Sequence, residues 1–156
     1  IFSQMNNTSG AAPAFDGSRW EPVLRSMDIK FGTDDEGDHF GDWDGARVWF
    51  EAKGEQREIL VVRAVMDVRP PLDAYASVAL VANDWNGEHM WPRTYVVRTD
   101  TECVIVADLV IDLETGASDD FLRQQVRCAL STAFEFAEHL PKVLPESAGW
   151  RNVGAE

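Results

Sequence analysis

The chain has 156 residues, of which 45% are hydrophobic and 26% charged, and this composition is typical of one soluble globular domain. Its 27 acidic residues outnumber 14 basic ones, and the formal net charge of −13 makes nucleic acid and membrane surfaces poor partners. No apolar run approaches the ~20 residues that span a bilayer. Two cysteines, Cys103 and Cys128, form no disulfide framework, so we expect a cytoplasmic location.

The first half of the chain predicts a tail, a helix and three strands. Residues 1–17 are small and polar, and we expect a disordered N-terminal tail. Periodicity and turn residues then predict a helix at 19–27, a strand at 28–32, an acidic loop at 33–45, and a hairpin of strands at 47–52 and 59–66.

The second half predicts two helices around a further pair of strands. A helix at 72–85 ends at Asn86-Gly87, and strands follow at 94–98 and 103–113. Ser118 is the predicted N-cap of a long last helix that Pro141 stops. Residues 147–156 are expected to be a loose C-terminal tail. Residues 18–146 thus form an α+β domain of order α-β-β-β-α-β-β-α, with a mostly antiparallel sheet covered by helices.

The last helix is predicted to be the main cover of the sheet. Its expected buried face consists of Leu122, Val126, Ala129, Leu130 and Ala133. Phe134 and Phe136 widen this face beyond what one sheet contact needs. Together with Trp85 and Trp91, they predict a homodimer that uses apolar surface of the second or third helix.

Several short motifs in a fixed order carry a resemblance to a known family. They are Asp35-Glu36-Gly37-Asp38 followed by Trp43, Gly54 ahead of Glu58-Ile59-Leu60, Asn83-Asp84-Trp85-Asn86 followed by Trp91-Pro92, and Leu113 to Ser118 leading into Arg127-Cys128-Ala129-Leu130. In these motifs the chain resembles the YbjN family of bacterial sensory transduction regulators, especially its actinobacterial members. The resemblance implies a fold similar to type III secretion chaperones, which are small acidic α+β proteins that bind segments of client proteins and often dimerise. It supplies no catalytic residue.

The acidic loop does not predict a metal site. Asp42, Asp44, Gly45 and Glu51 take places of an EF-hand loop in one register, but Phe40 then stands where the first ligand is needed. A strand also follows where that motif requires a helix. A solvated acidic hairpin edge is the favoured interpretation.

Two charges interrupt otherwise apolar strands and need partners. Arg63 lies within the run 59–66 and Asp108 within the run 103–113. Because an unpaired buried charge is costly, we expect the two to share one sheet face and to lie within ion-pair or single-water reach of each other. Trp85 continues an apolar helix face and is expected in the core, whereas Trp91 lies in a loop where a large aromatic residue often anchors an interface.

The sequence predicts a non-enzymatic, protein-binding module, a regulator or chaperone-like adaptor in bacterial signalling or stress response. Neither a cofactor nor a catalytic residue is predicted; the expected partner is a protein or client segment. The alternative is a small-ligand sensor with a pocket on the sheet face near Arg63 and Asp108. The candidate binding residues are Arg63, Asp108, Trp85, Trp91, Phe134 and Phe136.

Overall fold

The computed structural model describes residues 11–156, in which one antiparallel sheet carries three helices on a single face. The helices are α1 Trp20–Ser26, α2 Tyr75–Glu88 and α3 Asp119–Val143; the strands are β1 Gly32–Thr33, β2 His39–Trp43, β3 Ala46–Lys53, β4 Ile59–Met66, β5 Val68–Arg69, β6 Arg93–Arg98, β7 Cys103–Asp112 and β8 Arg151–Asn152. The main sheet has the order β1-β2-β3-β4-β7-β6, and β5 and β8 form a separate ribbon. The predicted α+β class with a mostly antiparallel sheet is confirmed.

Strict alternation along the strands produces the core. Phe50 on β3, Leu60 and Val62 on β4, and Ile105 on β7 are all buried on the face that the helices cover. Val126 of α3 lies in the same apolar cluster. Of the five α3 residues predicted to be buried, Leu122, Val126, Ala129 and Ala133 are buried, and Leu130 is half-buried at the margin.

The sequence interpretation missed β2, which lies inside the predicted acidic loop 33–45. Gly41 interrupts the alternation of side chains that would mark this strand in the sequence. A side chain is not tolerated at this position, because it would collide with the Trp43 ring. The strand predicted at 28–32 shrinks to the two residues of β1. Asp28 lies in the left-handed region with φ 55°, which bends the chain and delays the start of the strand. The acidic segment is therefore an edge hairpin, as favoured above.

Helix ends follow the predicted signals only in part. The N-cap is confirmed, because Ser118 Oγ accepts a hydrogen bond from the N–H of Phe121 at 3.1 Å. Pro141 does not stop α3 at its own position: the helix runs two residues further, to Val143. Similarly, α2 passes through the expected stop at Asn86-Gly87 and ends at Glu88.

Both predicted tails need correction in the described residues. Phe15 is buried edge-on against Trp20, with ring centroids 5.8 Å apart, because the core has room for one more aromatic ring. Ser147 is buried, and Arg151–Asn152 pairs with Val68–Arg69 as a short ribbon. The packed domain therefore extends beyond the predicted limits of 18 and 146, and residues 1–10 of the predicted tail lie outside the described residues. None of the helices between residues 11 and 156 has the length and apolar character needed to cross a bilayer.

Candidate binding surface

The face of the main sheet that turns away from the helices is the candidate functional surface, and we call it the open face. Alternation fixes its members. They are Phe40 and Asp42 on β2; Arg47, Trp49, Glu51 and Lys53 on β3; Ile59, Val61, Arg63 and Val65 on β4; Arg93, Tyr95 and Val97 on β6; and Val104, Val106, Asp108, Val110 and Asp112 on β7.

The open face differs in charge from the rest of the chain. Its four cations are Arg47, Lys53, Arg63 and Arg93, and its four carboxylates are Asp42, Glu51, Asp108 and Asp112. The face is therefore formally neutral, although the chain carries a formal net charge of −13. The acidic excess lies on the other surfaces.

Arg63 and Asp108 share the open face, but they do not pair with each other. They stand directly opposite one another on β4 and β7, as predicted. However, Arg63 Nε donates to Glu51 Oε1 at 2.7 Å, whereas Asp108 accepts from Arg93 Nε at 2.8 Å and from Arg93 Nη2 at 2.7 Å. A direct ion pair between them does not form, because two further charged residues, Glu51 and Arg93 on the neighbouring strands, face the same side. Their register was not available from either apolar run alone.

Glu51 is the residue that the sequence interpretation overlooked. Only 3% of it is exposed, and besides Arg63 it binds Lys53, with Nζ and Oε2 3.1 Å apart. Burial acts to raise the pKa of Glu51, but hydrogen bonds and charges from Arg63 and Lys53 outweigh burial and leave the pKa below its ordinary value. Glu51 is therefore ionised at neutral pH. The available signal was the alternation along the predicted strand 47–52, which places Glu51 on the same sheet face as Trp49, diagonal to Arg63 on the neighbouring strand.

Arginine and aromatic side chains alternate across the open face. The guanidinium of Arg47 lies 4.4 Å from the ring centre of Phe40, and that of Arg93 lies 5.1 Å from the ring centre of Tyr95. Arg63 lies at 6.0 Å from Trp49, at the limit of such contacts. Tryptophan, tyrosine and arginine are the residue types that dominate binding energy at protein interfaces. The arrangement is suited to contact with another protein.

Trp85 on α2 and Trp91 in the loop before β6 lie in different environments. Trp85 is buried, as expected, and stacks on His89 with ring centroids 3.6 Å apart. Its indole Nε1 donates to the carbonyl of Trp91 at 3.4 Å, which fixes the loop. Trp91 itself is 52% exposed and its neighbour Met90 is 85% exposed. The surface position of Trp91 is compatible with the anchoring role predicted for it.

Phe134 and Phe136 do not provide the surface expected of them. Phe136 is 0% exposed and packs against Trp85 of α2, with ring centroids 5.2 Å apart. Phe134 is half-buried against Trp43 of β2 at 5.8 Å. The apolar face of α3 is wide because the helix contacts β2 on one side and α2 on the other. These rings therefore give no support to a dimer interface.

Asn86 has a structural role that the sequence interpretation did not assign. Its Nδ2 donates to the carbonyl of Thr94 at 2.9 Å, and its Oδ1 accepts from the N–H of Thr94 at 2.9 Å. The side-chain amide thus replaces a neighbouring strand at the outer edge of β6. Thr94 Oγ1 also donates to the carbonyl of Ala82 at 2.8 Å, which ties α2 to this strand.

Two concavities border the open face. The larger, about 820 Å³, lies at one end of the sheet, where Trp49, Val65 and Asp67 meet the C-terminal residues 152–156. Burial, with the nearby charge of Asp42, raises the pKa of Asp67. The smaller, about 320 Å³, lies beside Trp91.

Two acidic residues that fall in the EF-hand register of the sequence, Asp42 and Glu51, are bound to arginines. Asp42 is held by Arg47, with Nε and Oδ1 2.7 Å apart, and Glu51 is held by Arg63. Asp34, Glu36 and Asp38 do approach one another in the β1–β2 turn. Exposed acidic turns commonly form in this way without a metal ion.

Comparison with known proteins identifies the family. A crystal structure of YbjN from E. coli, titled "a putative transcription regulator", is similar with a TM-score of 0.66 at 13% identity, over 78% of this chain and 87% of that chain. A structure of the HopA1–SchA chaperone–effector complex has a TM-score of 0.46 at 15% identity, over 86% of this chain and 91% of that chain. No curated protein matches. The family model for YbjN, described as "Putative bacterial sensory transduction regulator", matches residues 18–142, and so the chain belongs to the YbjN family.

Proposed function

We propose that this chain is a non-enzymatic protein-binding module, a regulator or chaperone-like adaptor, whose partner docks on the open face. The observation that carries the proposal is the character of this face. It is formally neutral in an acidic chain, it carries Trp49 and Tyr95 beside arginines, and no helix between residues 11 and 156 covers it. Interfaces between proteins are enriched in these residue types and depleted in unpaired charge.

The ion pairs of the open face prepare it for docking. Because Glu51 and Asp108 already have cationic partners, a docking protein need not neutralise a buried carboxylate. The side chains of Arg63 and Arg93 remain 34% and 64% exposed, so their free N–H groups can donate to carbonyl groups of a partner. The charged groups thus supply orientation, and the aromatic rings supply buried area.

The ionisable groups give no support to catalysis. Burial raises the pKa of both cysteine thiols, Cys103 and Cys128, which makes them weaker nucleophiles at neutral pH. Glu51 is held as a bound carboxylate, so it is a poor proton donor. These observations support the non-enzymatic part of the proposal.

The alternative function, a small-ligand sensor with its pocket near Arg63 and Asp108, has weaker support. The two side chains bind Glu51 and Arg93 instead of converging on a common point. The smaller concavity, which Asp108 borders, is open to solvent. A small-molecule site usually encloses its ligand and directs a few polar groups into it.

A homodimer stays a prediction and now depends on other residues. With Phe136 buried, apolar helix surface for self-association is offered by exposed residues such as Leu80 on α2, at 65%, and Phe121 and Val143 on α3, at 40% and 42%. Light scattering after size exclusion decides the question, because a monomer has a mass of 17.4 kDa.

Site-specific photo-crosslinking in the native host tests the proposed function. A photoreactive phenylalanine replaces Trp49 or Val97 on the open face, and Leu80 on α2 is the matched control. Val97 and Leu80 are both exposed aliphatic residues, at 45% and 65%, so the comparison isolates the choice of surface. We expect both open-face positions to crosslink the same protein and Leu80 not to do so. Crosslinks from Leu80 alone would contradict the proposal.

A further inference from the structure

The last four residues of β7, Leu109–Asp112, have a sheet neighbour on one side only. β4 pairs with them from Ile59 to Val62, but on the other side β6 begins at Arg93, opposite Asp108. Within residues 11–156 no strand continues the line of β6 past Asp108. We call these four residues the open edge.

The hydrogen-bond alternation shows which backbone groups the open edge presents. Leu113 N–H donates to the carbonyl of Glu58 at 3.0 Å, so Leu109 and Ile111, at even spacing from Leu113, direct their groups to β4. At the far end of β7 the N–H of Thr99 donates to the carbonyl of Glu102 at 2.8 Å, which gives the same phase. The N–H and C=O groups of Val110 and Asp112 therefore point away from β4, toward the side where β6 is missing.

A groove of apolar side chains accompanies these backbone groups. Its volume is about 320 Å³, and its lining residues are Met90, Trp91, Arg93, Asp108, Leu109, Val110 and Ile111. Met90, Trp91 and Val110 are 85%, 52% and 48% exposed. The bond from Trp85 Nε1 to the Trp91 carbonyl holds the loop beside the groove. Backbone partners and apolar surface thus occur at the same place.

The outer edge of β6, by contrast, is protected. The side-chain amide of Asn86 occupies the backbone N–H and C=O of Thr94, and α2 packs along the strand. Natural proteins commonly block edge strands in this way, because unpaired backbone groups recruit other strands. The open edge has no comparable block among the described residues.

We propose that the open edge binds an extended, basic and apolar segment of a partner protein by strand addition. This inference rests on the proposed function and names the mode of binding. Four residues of β-strand span roughly 13 Å, so a segment of about four to six residues suffices. Alternate apolar side chains of the segment pack on Trp91 and Val110. The carboxylates of Asp112 and Glu114 lie beside one end of the segment and favour lysine or arginine at that end.

Charge also argues against a second copy of this chain as the occupant. A two-fold pairing of two open edges would bring the Asp108–Asp112 segments of both copies together, in chains that each carry a formal net charge of −13. Like charges at opposing positions destabilise strand pairs. A basic segment instead meets the exposed carboxylates of Asp112 and Glu114 as an attractive partner.

A defined peptide tests the mode of binding with the full chain. The probe is an acetylated and amidated peptide of alternating lysine and valine, seven residues long. Its matched control has glutamate in place of each lysine. We expect the basic peptide to bind at least tenfold more tightly and to slow amide hydrogen exchange at Val110 and Asp112. The amides of Leu109 and Ile111 should change little, because β4 already protects them.

N-methylation separates strand addition from charge attraction alone. Methyl groups on the backbone nitrogens of every second residue keep the charge of the peptide but remove its donors on one edge. One methylation phase should abolish binding and the other should preserve it. Equal binding of both methylated peptides, or binding without exchange protection at Val110, would overturn the proposal.

Two variants of the protein complete the test. Val110→Pro removes the outward N–H without removing a bond to β4, and we expect at least a tenfold loss of peptide affinity. Asp112→Lys, at an exposed position, should give a similar loss by charge repulsion if Val110→Pro fails to fold. If Asp112→Lys leaves peptide affinity unchanged, or peptide-free chains associate through this edge, the inference is wrong. Persistent crosslinks from Trp49 and Val97 would then still support the proposed function.

Discussion

The two faces of the main sheet are formed by the same strands, but they bury different kinds of side chain. On the covered face, Phe50 and Leu60 are fully buried under three helices, and the apolar cluster that contains them includes no charged residue. On the open face, Glu51 and Asp108 are only 3% exposed, although no helix from residue 11 onward lies above them. Neighbouring arginines and aromatic rings cover those carboxylates. The period of two therefore places the apolar core on one face and, in the proposed function, the docking surface on the other.

The comparison implies that substitutions on the two faces should have different consequences. On the covered face, a truncated side chain leaves a cavity that the surrounding core cannot fill. On the open face, most side chains retain contact with water and can rearrange. Stability should therefore report on the first face, and partner binding on the second.

Truncation of Phe136 should have the largest effect on stability. Phe136→Ala removes a ring at 0% exposure between α3 and α2, and we expect it to lower the unfolding free energy by ~3–5 kcal/mol. Phe134→Ala is the matched control, because Phe134 is half-buried and should cost clearly less. Urea unfolding followed by tryptophan fluorescence measures both. If Phe136→Ala instead halves the molecular mass with little loss of stability, Phe136 belongs to a dimer interface.

Periodicity predicted the covered face well and the open face poorly. The stripe at Leu122, Val126, Ala129 and Ala133 follows from helical spacing, because burial under one sheet needs only one repeated apolar direction. The partner of Arg63 does not follow, because Glu51 reaches it diagonally across two strands. Such a contact depends on strand register, which apolar runs do not specify.

The wide apolar face of α3 shows a second limit of what can be inferred from the sequence. Phe134 and Phe136 give α3 more apolar surface than one sheet contact requires, as the sequence pattern indicated. The two rings do not support a second chain, because α2 and β2 of the same chain provide the additional contacts. A linear pattern gives the amount of apolar surface on a helix, but tertiary structure determines what covers it.

Removal of the Arg63 guanidinium should have the next largest effect. Arg63→Met keeps the aliphatic length of the side chain and leaves Lys53 as the remaining cation bound to Glu51. We expect the unfolding free energy to fall by ~1–3 kcal/mol at pH 7. Because the pKa of Glu51 is lowered in the folded state, its stabilisation is present above the ordinary value of 4.5 and disappears as pH falls through the folded value.

The pH dependence distinguishes this ion pair from simple packing. The difference in unfolding free energy between wild type and Arg63→Met should be largest near pH 7 and should shrink as the buffer becomes acidic, because Glu51 becomes protonated at higher pH in the variant than in the wild type. Urea unfolding at a series of pH values measures it. A penalty that stays constant down to pH 3 would mean that Arg63 acts through its aliphatic part. Glu51→Gln in both backgrounds provides the double-mutant cycle.

Loss of the side-chain block at the outer edge of β6 should lower the unfolding free energy by less. Asn86→Ala removes both hydrogen bonds to the backbone of Thr94, and we expect a loss of about 1 kcal/mol. Hydrogen exchange at the Thr94 amide should accelerate, whereas exchange at Val96 should change less. Asn83→Ala, on the same helix and exposed, is the matched control. Unchanged exchange at Thr94 would show that α2, and not the amide, protects this edge.

The smallest expected effect is a gain in stability at Asp67, at the end of the open face. Burial, followed by the charges of Asp42 and Asp44, raises the pKa of Asp67, so the folded state disfavours its charged form. For a raised carboxyl pKa, stability is greatest at low pH and falls as pH rises through the folded value. Asp67→Asn removes this cost and should raise the unfolding free energy at pH 7 by up to about 0.5 kcal/mol. The gain should vanish near pH 3, where wild-type Asp67 is itself protonated, and Asp100→Asn in an exposed turn serves as the control. A loss of stability at pH 7 would mean that the carboxylate makes a contact that an amide cannot replace.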